Sequence, residues 1–181
     1  MIRKRALVLA LLAAALAGQT ALRGQQPVSK EYLLKAAFLY NFTKFVEWPS
    51  SSWLEPQSPI VIGVFGGNPF GSFLEETVLE RRINGRVLVV RTVTSAEQAR
   101  ATHLLFVSKA VSAEDLAQLQ GAVAGLPVLT VGESPAFARQ GGMITFELQE
   151  DRIRFEINAG AAQRSGLKLS SQLLKLATVV K

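Results

Sequence analysis

The residues able to do chemistry in this chain are few, and most of them follow short apolar runs. Gly66-Gly67-Asn68-Pro69-Phe70-Gly71 comes directly after Ile60 to Phe65, at a strand-to-helix junction where phosphate-binding loops occur. It lacks the spacing of a dinucleotide fingerprint and has no Lys-Ser/Thr pair of a P-loop. The alternative is a tight turn that needs small residues. Gly132-Glu133-Ser134 follows a second apolar run, Val128 to Val131. In open parallel sheets, ligands gather at the carboxyl ends of the strands. Gly66, Asn68, Phe70, Ser108, Gly132 and Glu133 therefore form a candidate small-molecule cleft, whose ligand the sequence does not name.

Hydrolytic chemistry finds little support. There is no G-x-S-x-G, and the single histidine, His103, opens an apolar run, where a lone His is more often structural. Glu75-Glu76 and Glu150-Asp151 are adjacent pairs of the solvated kind, and nothing sets either opposite another acid at catalytic distance. One His and no Cys leave no basis for a transition-metal site. No catalytic residue and no cofactor is assigned, and the chain does not read as an enzyme.

The elements that must position these residues begin after an export signal. Arg3-Lys4-Arg5, an uncharged stretch from Ala6 to Leu16 and the small-x-small Ala15-Leu16-Ala17 read as a secretory signal peptide over residues 1–17. Its apolar core is short for a membrane span. Without cysteine, a lipoprotein attachment is excluded. Residues 18–28 are polar and read as a loose leader. Residues 29–181 then form a single domain, long enough to bury a proper core. Losing Arg3, Lys4 and Arg5 lowers the net charge from +6 to +3. A surplus that small, without a basic cluster, does not point to nucleic acid. Export with no cysteine also means a fold held without disulfides.

Ser29 to Trp48 reads as the first helix, capped by Ser29, stopped by Pro49, and striped by Leu34, Ala37, Phe38 and Phe45. Ile60 to Phe65, Arg86 to Arg91, His103 to Val107 and Val128 to Val131 read as strands. The helices between them are Pro69 to about Leu79, Ser95 to Ala99 and Ser112 to Val123. This alternation predicts an α/β fold whose sheet is mainly parallel and flanked by helices. From Met143 to Leu148 and from Ile153 to Ile157 the pattern switches to period two, across the polar loop Gln149-Glu150-Asp151. That is a C-terminal antiparallel hairpin with one buried face. Asn158 caps a short helix ended by Gly166, and Ser170 opens a last helix with Leu173, Leu174 and Ala177 on one face.

Two surfaces are candidate interfaces. Phe38, Tyr40, Phe42, Phe45 and Trp48 give the first helix more aromatic surface than one sheet face covers, which assigns Tyr40 and Lys44 to a self-association or partner contact. Arg152 and Arg154 lie on the outward side of the last hairpin strand. They are either a charged edge that discourages aggregation or a partner or anion contact.

Several blocks, in order, resemble the YfiR-like family of small secreted bacterial proteins. They are Lys35 to Phe42 (KAAFLYNF), Lys44 to Pro49 (KFVEWP), Leu129 to Glu133 (LTVGE), Gly141 to Ile144 (GGMI), Phe155 to Asn158 (FEIN) and Gly166 to Leu174 (GLKLSSQLL). The resemblance implies an exported α/β domain of the Gram-negative periplasm that forms homodimers. It also implies a regulator that binds the periplasmic part of a membrane diguanylate cyclase and restrains cyclic-di-GMP signalling and biofilm formation; a membrane sensor kinase is the other partner expected. The best-known members carry cysteine pairs tied to redox control; this chain has none. The reading from another class is a periplasmic small-molecule-binding module using the cleft at the strand ends.

Overall fold

The computed structural model describes residues 28–150 and 152–180. The expected signal peptide, almost all of the leader, and Asp151 lie outside them. Four apolar, branched runs become the strands β2 (Ile60–Phe65), β4 (Arg86–Val93), β5 (Leu104–Val107) and β6 (Leu129–Gly132). They are joined by β7 (Ile144–Gln149), β8 (Arg152–Asn158), β10 (Thr178–Val180) and the two-residue β3 (Arg82–Ile83) in one sheet of order β10-β8-β7-β6-β5-β2-β4-β3. Pairing is parallel throughout except for β7 with β8 and β3 with β4. The fold is thus a mixed α/β architecture with a mostly parallel sheet and a C-terminal antiparallel pair, as the alternation of elements predicts.

Helices cover both faces. The sheet face bearing Ile62, Phe106, Val131, Phe146 and Phe155 packs under α1 (Lys30–Phe45), α2 (Phe73–Val78), α6 (Ala159–Arg164) and α7 (Ser171–Lys175). The face bearing Leu105, Val107 and Val128 packs under α3 (Ala96–Arg100), α4 (Ala113–Val123) and α5 (Pro135–Arg139). Phe42 of α1 is 1% exposed and lies 5.7 Å from Phe146 and 5.1 Å from Phe155, ring centre to ring centre. Burying such a ring is worth about 1.5–3 kcal/mol. Ser95, Ser112, Ser134, Asn158 and Ser170 each cap a helix through the side chain.

The structure corrects the expected elements in five places. First, α1 ends at Phe45 rather than Trp48, because Val46–Glu47 forms β1 and pairs antiparallel with β9 (Lys168–Leu169). Second, its buried face carries Lys35, Ala36, Leu39, Phe42 and Thr43; of the expected stripe, Phe38 and Phe45 pack against the core, whereas Leu34 and Ala37 are exposed. Leu39 and Phe42 supply the apolar contact on that side, and Lys35 is drawn inward by the Glu133 carboxylate.

Third, α2 starts at Phe73 rather than Pro69. The Asn68 side chain accepts from the Phe70 amide and donates to the Gly71 carbonyl, closing a turn that the helix would have used. Fourth, Gln149 pairs with Arg152, so it belongs to the strand and not to the hairpin loop. Fifth, the last helix is only Ser171–Lys175, and the chain then runs out as β10, parallel to β8 at Glu156 to Asn158. The hairpin strand is therefore not the sheet edge along its whole length.

Candidate functional site

β2 and β5 are neighbours in the sheet, but β2 connects onward to β4 on one side and β5 to β6 on the other, so the connections leave these two strands in opposite directions. Such a reversal opens a crevice at the carboxyl ends of the strands, the usual ligand position in doubly wound folds. The six cleft residues expected from the sequence come to this end of the sheet. Gly66 follows β2, Ser108 follows β5, Gly132 ends β6 and Glu133 follows it. Asn68 and Phe70 sit in the turn after β2.

The chain fills this crevice itself. Gly66 has a φ of +82°, and a side chain there would run into Val111. Gly132 and Gly142 lie under the Phe137 ring, which takes the space a Cβ would occupy at either position. Phe70 is fully buried, 5.5 Å from Tyr32 and 4.9 Å from Phe106. Ser108 is buried, and its hydroxyl accepts from the Ala110 amide.

Glu133 is the centre of the polar contacts. Its Oε1 accepts from the Tyr32 hydroxyl at 3.1 Å and from the Lys109 amide at 3.0 Å. Its Oε2 pairs with the Lys35 ammonium, which also pairs with Glu31 one helical turn earlier. The Lys35 and Glu133 side chains are 4% and 2% exposed. Burial and the neighbouring Glu133 carboxylate hold the Tyr32 phenol well above the usual tyrosine range, so it stays a donor. Every acceptor at Glu133 has a donor, and the arrangement fastens α1 to the end of β6. Lys35 and Tyr32 were not foreseen in the sequence, because their partner lies about a hundred positions away.

A second cluster sits at the opposite, amino end of the strands. His103 Nδ1 accepts from the Val61 amide at 3.1 Å, and Nε2 lies 3.3 Å from the Ser52 carbonyl. An accepting Nδ1 puts the proton on Nε2, so the imidazole is neutral. Burial lowers its pKa most; the Ser52 carbonyl partly offsets this, and the Arg86 charge lowers it further. The ring stacks on Trp53 at 4.5 Å, and the Arg86 guanidinium covers Trp53 at 3.8 Å. Trp48 donates its indole N–H to the His103 carbonyl. This stack pins the connection from Pro49 to Pro59 against the sheet.

Of the expected interface residues, Tyr40 packs in part against the core and the other three face outward. Tyr40 is half-buried, with Lys44 5.6 Å and Arg81 4.8 Å from its ring centre. Lys44, Arg152 and Arg154 are exposed. Arg154 lies opposite Glu147 in the hairpin register and Arg152 opposite Gln149. No hydrogen bond, ion pair or cation–ring contact joins the Tyr40 pair to the arginine pair among the described residues.

Groups of three or more His, Cys, Asp or Glu able to hold a metal ion do not occur among the described residues. No helix among the described residues is long and apolar enough to cross a membrane. No curated protein matches the chain significantly. A family model described as YfiR/HmsC-like matches residues 32–178, a span that runs from Tyr32 beside Glu133 to the first residue of β10. The chain belongs to the YfiR/HmsC-like family.

Proposed function

We propose that this protein is a periplasmic regulator that restrains a membrane-bound diguanylate cyclase by binding the cyclase's periplasmic part. The observation that carries this reading is the family match over residues 32–178. The family consists of periplasmic regulators of diguanylate cyclases and is regulatory rather than catalytic. The internal chemistry supports the same view: Glu133, Lys35 and His103 are each spent on holding the chain together. The partner then meets outward side chains. Tyr40, with two cations against its ring, supplies an aromatic anchor on α1, and Lys44 supplies charge. Arg152 and Arg154 on β8 are the second contact, and a homodimer is the state in which the protein binds.

The test is recovery from solubilised membranes with the tagged, exported protein as bait. The wild type brings down a membrane protein carrying a diguanylate cyclase domain. Tyr40→Asp loses that protein, while its thermal melt stays within a few degrees of the wild type. If the wild type recovers no cyclase, the regulatory reading fails. If Tyr40→Asp unfolds, Tyr40 is core and the contact belongs to the Arg152 and Arg154 edge. The reading as a small-molecule module at the carboxyl ends of the strands is not favoured, since α1, Val111 and Phe137 take up that crevice.

A further inference from the structure

The amino ends of β2, β5 and β6 border a groove of about 520 Å³, beyond the 220 and 360 Å³ of two neighbouring hollows. One wall is the connection carrying Ser51, Ser52 and Leu54, held in place by the Arg86, Trp53 and His103 stack. The other is the turn at Leu126-Pro127. The volume is that of an ordinary small-molecule site.

Its chemistry is one-sided. Two guanidinium groups, Arg91 and Arg100, line it, and no carboxylate does. Arg100 donates its Nε to the Ala122 carbonyl at 3.0 Å, which fixes the plane of the guanidinium and leaves its terminal nitrogens uncommitted by that bond. Arg91 stands on β4 in register with Gly63, and its side chain makes no ion pair or hydrogen bond among the described residues. Leu54, Val61, Leu126 and Pro127 give the groove its apolar surface, and Ser58 and Thr102 add uncharged hydroxyls. Leu54 is 98% exposed, an apolar side chain held at the mouth with nothing over it. The Ser52 hydroxyl is buried without a hydrogen-bond partner. His103 contributes ring surface and no charge, because Nδ1 is occupied by the Val61 amide.

We propose that this groove binds a small organic anion with an apolar body, its acid group taken by Arg91 and Arg100 and its body laid along Leu54, Val61 and Leu126. Guanidinium groups recognise carboxylates through paired, charge-assisted hydrogen bonds, and a fixed Arg loses little freedom in doing so. Apolar walls beside them select against inorganic ions, which have no surface to bury there. The site lies at the opposite end of the strands from the Lys35 and Glu133 contact, and it does not depend on the partner proposed above.

The probe is decanoate, titrated into the mature protein by calorimetry. The control is decyltrimethylammonium, which has the same chain and the opposite charge. Decanoate is expected to saturate at one site per chain and to bind at least tenfold more tightly than the cation. Arg91→Ala should weaken decanoate at least tenfold with an unchanged melt, since this residue is exposed; Arg91→Lys should recover part of the loss. Leu54→Ser should weaken both amphiphiles' use of the mouth without reversing the charge preference. Equal binding of the two probes, unchanged affinity in Arg91→Ala, or no saturable binding at millimolar decanoate overturns the proposal. Cyclase capture is not used, so the partner reading and this one fail separately.

Discussion

The Lys35 ammonium and the Glu133 carboxylate, 98 positions apart in the chain, form an ion pair from which water is almost wholly excluded. Such a pair is weak evidence of net stability, because both charges lost their hydration to form it. Its consequence is positional: α1 has one seating in which neither charge is stranded, and that seating closes the crevice at the strand ends.

Removing one partner should therefore cost far more than removing both. Lys35→Met leaves a buried carboxylate with only Tyr32 and the Lys109 amide and should lose about 3–5 kcal/mol in urea melts. Adding Glu133→Gln keeps those two donors satisfied and removes the stranded charge. The double variant should recover more than about 1 kcal/mol over the sum of the single losses. Additive losses would mean that the two side chains are not energetically coupled.

The hairpin register makes a second prediction. Phe155 is 4% exposed and packs against Phe38 and Phe42, whereas its neighbour Arg154 faces solvent. Phe155→Ala should cost about 3–5 kcal/mol, and Arg154→Ala well under about 1 kcal/mol. The opposite ranking would place the strand one residue out of register.

Acid should weaken the fold through His103. Its folded pKa lies below the ordinary 6.5, so the folded state binds a proton less readily than the unfolded chain. The associated stability is complete above about pH 6.5 and is lost as the pH falls from there toward the depressed folded pKa. Protonation also forfeits the Val61 N–H bond at Nδ1. Urea midpoints measured from pH 8 down to pH 5 should fall more steeply for the wild type than for His103→Asn, whose side-chain oxygen still accepts but does not titrate. Parallel curves would assign the acid sensitivity to other groups.

Gly132 is held small by Phe137, which also covers Gly142. Gly132→Ala forces that ring to move and should cost about 1–3 kcal/mol, the range for overpacking. In a Phe137→Leu background the same substitution should cost less, since the smaller side chain can give way. An equal cost in both backgrounds would locate the strain in the backbone instead.

Export is checked by intact mass. Periplasmic material should lack the residues up to about Ala17, as expected for a signal peptide. A full-length chain that pellets with membranes would identify residues 1–17 as an anchor.

Much of the fold was legible because its signals are local. The central strands are continuous branched runs, the hairpin alternates, and α6 carries its own start at Asn158 and stop at Gly166. What escaped depends on distant partners. Val46 and Glu47 continue a helical pattern until Leu169 and Lys168 pair with them. Thr178 to Val180 look like the tail of a helix until β8 offers an edge. The inward turn of Lys35 contradicts every hydropathy rule unless Glu133 is known to be beneath it. The candidate site followed the same division. The six cleft residues do come to one end of the sheet, but which side chains occupy the space between them is not readable from the sequence. The amino-end groove draws on four separate segments, none of which carries a motif.

The fastening of α1 also sets an order in time. This helix leaves the ribosome early, yet Glu133, Phe146 and Phe155, the groups that seat it, belong to the later half of the chain. At about 5–20 residues per second, the 98 positions between Lys35 and Glu133 take roughly 5 to 20 seconds to make. Through that interval Phe38 and Phe42 lack Phe146 and Phe155, the hairpin rings they pack against. The earliest described helix is among the last to find its place, and its aromatic face needs shelter while it waits.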